Sequence, residues 1–211
     1  MERARMEAFS DGVLAVAITL LVLDLHASAA EPEPLSTQLQ QGWPSFAAYA
    51  VSFFVIGVVW INHHAVVNLV ARVDRRLLFY NLLLLFFVTT IPFTTSTLAE
   101  YLYPSHGSST SLAVLLYGVS TEGMAVSFTL MLWHMTRAGL TTRPVTPQQA
   151  NRAVLRFGVG TLLYPLVTLL GLVSAPAMLL LYAALTAYYV FEQTPILGDG
   201  PPEGTSPSDA G

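Results

Sequence analysis

The chain has 211 residues, of which 54% are hydrophobic and only 10% are charged. Soluble domains usually carry about 25% charged residues, and a soluble fold of this length needs a polar exterior that this composition does not supply. The composition excludes a disordered chain and a nucleic-acid-binding protein, and it indicates a protein that folds in lipid. Because cysteine is absent, a disulfide framework, a thiolate metal site and a cysteine nucleophile are also excluded.

Six apolar segments follow one another along the chain. Each is near the length of about 20 residues that a transmembrane helix needs, and a single segment in lipid must satisfy its own backbone hydrogen bonds as a helix. The predicted spans are 8–25, 45–71, 77–99, 112–135, 153–173 and 176–191. The sequence therefore predicts an all-α integral membrane protein with a six-helix domain over residues 1–193. The Pro- and Gly-rich residues 194–211 are predicted to be a disordered cytoplasmic tail.

The basic residues fall at alternate connections between the spans. All nine are arginines, and they lie before the first span, between spans two and three, and between or beside spans four and five. The connections after spans one, three and five contain no basic residue. The positive-inside rule then places both termini in the cytoplasm, for a multi-pass protein of the cell membrane. Six spans satisfy this arrangement, because it requires an even number.

The first span is the least lipid-like of the six, since it has an aspartate near each end. At about 100° per residue, one face of this helix carries Gly12, Val16, Thr19 and Leu23, with Leu20 beside them. Small residues favour close packing between membrane helices. The stripe is therefore either a packing seam or the wall of a narrow, mostly apolar pore, and the spacing alone leaves both interpretations open.

Polar residues of the first three spans are predicted to lie at one depth. Counting about 1.5 Å per residue from the arginine-bearing ends places Asp11, His64 and Asn81 within roughly 5–11 Å of the same face, with Arg5 just below. Polar groups buried in lipid need partners. We expect these residues to satisfy one another, either as a site or as a structural clamp that fixes the first helix.

Short motifs in the first three spans are more specific than composition. They are Arg5-x-x-x-Phe9-Ser10-Asp11, then Trp60-x-Asn62-His63-His64, and then Arg75, Asn81 and Ile91-Pro92-Phe93. These blocks resemble the signature of the transmembrane protein 175 family of lysosomal potassium channels. The resemblance covers the first three spans closely and the last three by topology.

The resemblance implies an assembly and a function. Prokaryotic members of the family have one six-helix unit and form homotetramers, in which the first helices line a central pore without the usual potassium-channel filter. Carried over residue by residue, Val16, Leu20 and Leu23 form the implied constriction and Thr19 is the selectivity-linked position. The resemblance therefore favours the pore over the packing seam. Family members more often have Ile or Leu at the position of Val16, so a looser constriction is expected here.

The same resemblance implies a structural motif at the cytoplasmic mouth and a set of partners. The motif residues are Arg5, Phe9, Ser10, Asp11, Trp60, Asn62, His63, His64 and Asn81. The implied protein is a potassium-selective leak channel that has potassium ions and the lipid bilayer as partners. No cofactor and no fixed metal site are expected, and adjacent histidines on a helix point about 100° apart, so His63 and His64 do not converge on one ion.

A proton-coupled transporter or an intramembrane enzyme is the alternative function. It would use Asp11, the two histidines and Glu122, which lies near the midplane of the fourth span, where a carboxylate is costly. Glu122 is interpreted either as a proton or cation site or as a neutral, hydrogen-bonded acid. Its predicted partners are Tyr117, Ser120 and Thr121, or another helix. The internal repeats and broken helices typical of transporters are not evident, although Gly118 and Gly123 flank Glu122, and no hydrolase motif indicates an enzyme.

Overall fold

The computed structural model describes residues 2–26, 32–102 and 108–190. Within these ranges the regular structure is helical, apart from one isolated β-bridge between Val70 and Thr141. The helices are α1 (Arg3–Leu20), α2 (Leu35–Gln41), α3 (Trp43–Asn68), α4 (Arg75–Glu100), α5 (Ser108–Arg137), α6 (Pro147–Gly171) and α7 (Ala175–Val190), and a 3₁₀ turn (Leu21–Asp24) extends α1. The predicted all-α fold is confirmed, whereas the predicted tail, residues 194–211, lies outside the described residues.

Five of these helices are long and apolar enough to cross a membrane. They are α1 with its 3₁₀ turn, α3, α4, α5 and α6. The last helix, α7, has 16 residues, which is about 24 Å at 1.5 Å per residue and shorter than the roughly 30 Å hydrocarbon core. The segment predicted as the sixth span is therefore helical, but it is shorter than a typical spanning helix.

Capping residues set the starts of α4 and α6 outside the apolar segments. The Asp74 carboxylate accepts a hydrogen bond from the Leu77 backbone N–H at 2.8 Å. At the start of α6, Thr146 and Gln149 form a capping box, in which each side chain bonds to the backbone of the other residue. Such caps satisfy N–H groups that the first helical turn leaves free. Both helices therefore begin before the predicted spans at 77 and 153.

The C-terminal end of α1 differs from the prediction. The segment 8–25 is predicted as one helix, but the α-helix ends at Leu20 and continues as a 3₁₀ turn over Leu21–Asp24. A 3₁₀ helix has three residues per turn, so side chains three residues apart eclipse each other. Leu23 therefore lies in line with Leu20. A second difference is α2, a helix of seven residues that hydropathy does not predict.

Helices α3 to α7 form a closed ring in which each helix packs against two neighbours. The contacts run from α3 to α4, α5, α6 and α7 in order, and α7 returns to α3. Helix α1 lies outside this ring and packs against α3 and α4. The buried face of α1 consists of Met6, Ser10, Leu14 and Ala17, and Leu21 continues it in the 3₁₀ turn. The ring is thus a scaffold that holds α1 by one face.

Two glycines of α5 allow close approach of its neighbours. A Cβ atom at Gly118 would overlap the Thr168 side chain of α6, and one at Gly123 would overlap the Phe87 ring of α4. Helix α5 runs without interruption through both positions. The glycines that flank Glu122 are therefore close-packing positions in a continuous helix, as is typical of membrane helix contacts.

Candidate functional site

The residues predicted to form the constriction lie on the exposed face of α1. The exposed fractions are 57% for Val16, 43% for Leu20 and 64% for Leu23, and Thr19 is also exposed. A Cβ atom added at Gly12, on the same face, would meet no atom within 4 Å among the described residues. The stripe therefore does not pack against another helix of the described chain.

The Thr19 hydroxyl is oriented by its own helix. Its Oγ1 donates a hydrogen bond to the Val16 carbonyl oxygen at 2.9 Å. A hydroxyl has one donor hydrogen and two acceptor lone pairs. Because the hydrogen points back to the helix, the lone pairs remain available on the exposed face. The apolar stripe thus includes one oxygen acceptor that is suited to a cation.

A polar ladder joins α1 to α3. Its three steps are Arg3 Nη1 to the Asn68 carbonyl oxygen (3.2 Å), Glu7 Oε1 to His64 Nδ1 (3.2 Å) and Trp60 Nε1 to Asp11 Oδ1 (3.0 Å). Each step of four residues along α1 is met by a step of four residues back along α3. Residues four apart share one face of a helix, so this is the register of two antiparallel helices in contact. The α1–α3 ladder holds one side of α1 against α3.

A buried triad joins α1, α3 and α4 beside this ladder. It consists of Ser10, His63 and Asn81, which are 0%, 0% and 2% exposed. Asn81 Nδ2 donates to Ser10 Oγ at 2.9 Å, and His63 Nε2 lies 2.8 Å from Asn81 Oδ1. Since an amide oxygen only accepts, His63 Nε2 carries the hydrogen of this bond. The other ring nitrogen, Nδ1, is buried without a partner in the described chain.

The pairing within this region differs from the prediction. Asp11 is bonded to Trp60, whereas the predicted partners were Arg5, His64 and Asn81. Arg5 is exposed, and among the described residues no hydrogen bond or ion pair connects it to Asp11. Counting residues along a helix gives the depth of a side chain in the membrane. It does not give the rotation of the helix about its axis, which decides the residues that the side chain contacts at that depth.

The remaining motif residues have separate positions. Asn62 is buried and donates to the Tyr189 carbonyl oxygen at 3.0 Å, so it joins α3 to α7 and lies outside the triad. Phe9 is 52% exposed. The rings of His63 and His64 diverge, since His63 bonds to Asn81 and His64 to Glu7. Among the residues that the structure describes, no group of three or more His, Cys, Asp or Glu is arranged to hold a metal ion.

Sequence reasoning missed Arg3 and Glu7 as members of the ladder. A signal for them exists in the spacing, because Arg3, Glu7 and Asp11 recur every four residues and so share one face of α1. The complementary spacing on α3 is that of Trp60, His64 and Asn68. Two polar stripes of the same period on neighbouring helices indicate a ladder between them.

Glu122 lies in α5, apart from the ladder and the triad. The hydroxyl groups predicted to bond to it are engaged elsewhere: Tyr117 with Ser52 (3.1 Å), Ser120 with Thr90 (2.9 Å) and Thr121 with Tyr182 (2.8 Å). The Oε2 atom of Glu122 is buried and has no hydrogen-bond partner in the described chain. Glu122 therefore forms no hydrogen bond to its predicted partners or to another helix among the described residues.

A clamp at the arginine-bearing end ties the start of α4 to the end of α5. His134 Nε2 lies 2.8 Å from Asp74 Oδ2. Burial tends to raise the pKa of the Asp74 carboxyl, but hydrogen bonds from the Leu77 backbone and from His134 outweigh it and hold the pKa below its ordinary value. Sequence reasoning had no basis for singling out His134, because its partner is 60 residues away.

Comparisons with known proteins agree with this architecture. Residues 5–92 match the family described as endosomal/lysosomal potassium channel TMEM175. A potassium channel of Streptomyces collinus is 47% identical over 197 residues, which are 92% of this chain and 95% of that protein. The endosomal/lysosomal proton channel TMEM175 of Gallus gallus is 32% identical over 124 residues, 54% of this chain but only 25% of that protein. Both relatives are channels by name, in agreement with the prediction that the chain is not an enzyme.

A solved structure has the same fold. It is the crystal structure of a lysosomal potassium-selective channel TMEM175 homolog from Chamaesiphon minutus. The TM-score is 0.79 at 32% sequence identity, and the match covers 91% of this chain and 98% of that chain. The likeness therefore extends over the whole helical domain, beyond the first three helices that carry the sequence motifs.

Proposed function

The chain belongs to the TMEM175 family, and from this premise we propose that it is a potassium-selective leak channel of the cell membrane. The proposal takes potassium as the permeant ion because the Streptomyces relative, aligned over nearly its full length, is named a potassium channel. The alternative, a transporter or enzyme using Asp11, the histidines and Glu122, is not proposed. Asp11 and the two histidines bond to separate partners, and Glu122 lies apart from them in α5, so the four residues do not form one site.

The observation that carries the proposal is the exposed apolar face of α1. In the proposed channel, four copies of the chain place this face around a central axis. Val16, Leu20 and Leu23 then form successive apolar rings. Val16 and Leu20 are four α-helical residues apart, about 6 Å along the axis, and Leu20 and Leu23 are three 3₁₀ residues apart, also about 6 Å. Because Leu20 and Leu23 point in the same direction from the helix, both side chains narrow the proposed pore, at two successive levels along its axis.

Selectivity in this arrangement comes from dehydration. A narrow apolar ring opposes ions, because an ion must lose part of its water and gains little from the wall. Potassium holds its water less tightly than sodium, so the barrier is lower for potassium. Thr19 lies between the rings formed by Val16 and Leu20, and its free lone pairs replace part of the lost hydration.

The proposed orientation places both termini in the cytoplasm. The contacts between Arg3 and Asn68, between Val70 and Thr141, and between Asp74 and His134 gather the arginine-bearing segments at one end of the bundle. Positive charge is retained on the cytoplasmic side of membranes. This end is therefore the proposed cytoplasmic mouth, and the 3₁₀ turn lies at the opposite end.

The test is single-channel recording of purified protein in opposed potassium and sodium gradients. Leu23→Ser is expected to wet the constriction, which raises unitary conductance and moves the reversal potential toward zero. Thr19→Val is expected to lower the current or the selectivity. Val22→Ser is the matched control for Leu23→Ser. Val22 is next to Leu23 in the same 3₁₀ turn and is 49% exposed, but it does not belong to the predicted constriction. If no substitution at positions 16, 19, 20 and 23 changes either quantity in assembled protein, α1 does not line the pore.

A further inference from the structure

We propose that Glu122 is a protonated carboxylic acid that faces the lipid, and that it is a modification site for lipid-soluble carboxyl reagents of the carbodiimide class. This inference does not depend on ion conduction, because Glu122 is on α5 and the proposed pore wall is on α1.

The position of Glu122 along its helix places it deep in the membrane. Helix α5 has 30 residues, from Ser108 to Arg137. Glu122 is therefore about 21 Å from the first residue and about 23 Å from the last at 1.5 Å per residue. A helix of this length crosses the full hydrocarbon core, so the carboxyl group lies near the middle of the bilayer.

The side of α5 that carries Glu122 is its exposed, apolar side. Counting about 100° per residue, Glu122 shares this side with Leu115, Val119 and Trp133. Their exposed fractions are 41%, 62% and 42%. Glu122 itself is half-buried, on the edge of this side nearer to α6. A single acid thus interrupts a surface that is otherwise suited to lipid.

The described chain offers no group that would stabilise a negative charge at Glu122. It forms no ion pair with an arginine or histidine, and its Oε2 is buried without a hydrogen-bond partner. The titratable groups near it on the neighbouring helices are two phenols, Tyr164 of α6 and Tyr182 of α7. The Tyr182 hydroxyl is already bonded to Thr121 at 2.8 Å and to Thr168 at 3.0 Å.

The consequence is that the carboxyl group keeps its proton. An ionised carboxylate without water, cation or donor is far more costly in an apolar medium than the neutral acid, and such groups neutralise instead. A neutral acid is also the form that reacts with carbodiimides. The carboxyl oxygen bonds to the central carbon of the reagent and the acid proton moves to one of its nitrogens, which gives an O-acylisourea. The acyl group then migrates to nitrogen, so the whole reagent is added, nothing leaves and no oxidant is required.

The test compares two reagents on the assembled protein in lipid nanodiscs at pH 7. Dicyclohexylcarbodiimide partitions into lipid, whereas a cationic, water-soluble carbodiimide does not. Peptide mass spectrometry is expected to find the dicyclohexylcarbodiimide adduct on Glu122. With glycine ethyl ester present, which converts the O-acylisourea to an amide and releases the urea, the cationic reagent is expected to label Glu100, which is exposed at the end of α4. Glu122→Gln is expected to lose the first adduct and to retain the second.

Three results would overturn the proposal. The first is no adduct on Glu122 in the unmodified chain while Glu100 reacts, since this measurement needs no variant to fold. The second is equal modification of Glu122 by the cationic reagent, which would show that water reaches it. The third is an adduct that forms only after detergent dissociates the protein, which would place Glu122 in a contact between protein chains.

Discussion

The adjacent histidines of α3 provide a matched pair of substitutions. His63 is fully buried and bonds to Asn81 at 2.8 Å. His64 is half-exposed, with its Nδ1 3.2 Å from Glu7 Oε1. His63→Ala and His64→Ala remove the same atoms from neighbouring positions of one helix. Any difference between them therefore reports the environment of each ring and not the substitution itself.

The two variants are expected to differ by a few kilocalories per mole. Hydrogen bonds between membrane helices contribute about 0.6 kcal/mol on average and up to about 1.7 kcal/mol. The loss of a large buried side chain adds a cavity term, so His63→Ala is expected to reduce stability by about 2–4 kcal/mol in total. A half-exposed ion pair contributes about 0–1 kcal/mol, which is the expected cost of His64→Ala.

The assay is thermal unfolding of both variants beside the unmodified protein in one detergent. At about 2–4 °C per kcal/mol for a chain of this size, His63→Ala is expected to melt about 5–15 °C lower and His64→Ala less than about 4 °C lower. A double-mutant cycle with Asn81→Ala should give a coupling energy of about 0.6–1.7 kcal/mol. Equal melting temperatures for the two histidine variants would refute the assignment of His63 to a buried triad.

Two further predictions concern the scaffold. Gly118→Ala places a methyl group against Thr168 and is expected to reduce stability by about 1–3 kcal/mol. Gly158→Ala is the control, because a Cβ atom there would lie 3.9 Å from its nearest neighbour, the Thr129 methyl group. This variant is expected to be neutral or stabilising by up to about 1 kcal/mol. Equal melting temperatures for these two variants would contradict the close α5–α6 contact. The second prediction follows from the pKa of Asp74, which is held below its ordinary value. The contribution of Asp74 to stability is complete above about pH 4 and is lost as the pH falls through the folded-state pKa. The difference in melting temperature between the unmodified protein and Asp74→Asn should therefore shrink on acidification. A difference that does not change with pH would contradict the prediction.

Hydropathy predicted the long helices, but it did not predict their ends or α2. Long helices are set by apolar length, which the sequence displays directly. The starts of α4 and α6 are set by single capping residues, Asp74 and Thr146, which lie outside the apolar windows. Helix α2, with the sequence LSTQLQQ, is too polar and too short for hydropathy to detect. The 3₁₀ turn after Leu20 changes the directions in which its side chains point, but its residues are as apolar as those of the α-helix, so hydropathy does not detect it.

Most members of the candidate site were predictable from the sequence motifs, but Arg3, Glu7 and the contacts among the members were not. Depth along a helix follows from counting residues, and the count places Asp11, His64 and Asn81 at a similar level. Which of two adjacent histidines is buried depends on helix rotation, and a change of one residue turns a helix by about 100°. The period of four in Arg3, Glu7 and Asp11 carries this rotational information, but it becomes useful only once α3 is known to be the neighbour.

The rotation of α1 connects these contacts to the proposed pore. Counting about 100° per residue from Ser10, which belongs to the triad, Asp11 of the ladder lies at about 100°, whereas Thr19 and Val16 lie at about 180° and 240°. The triad and the ladder therefore hold adjacent faces of α1, and together they resist its rotation about the helix axis in either direction. Polar residues of the sequence motif hold one side of α1, and this leaves the opposite, apolar side free to line the proposed pore. In the proposed channel, a residue can thus be essential to the position of the constriction without ever contacting a permeating ion.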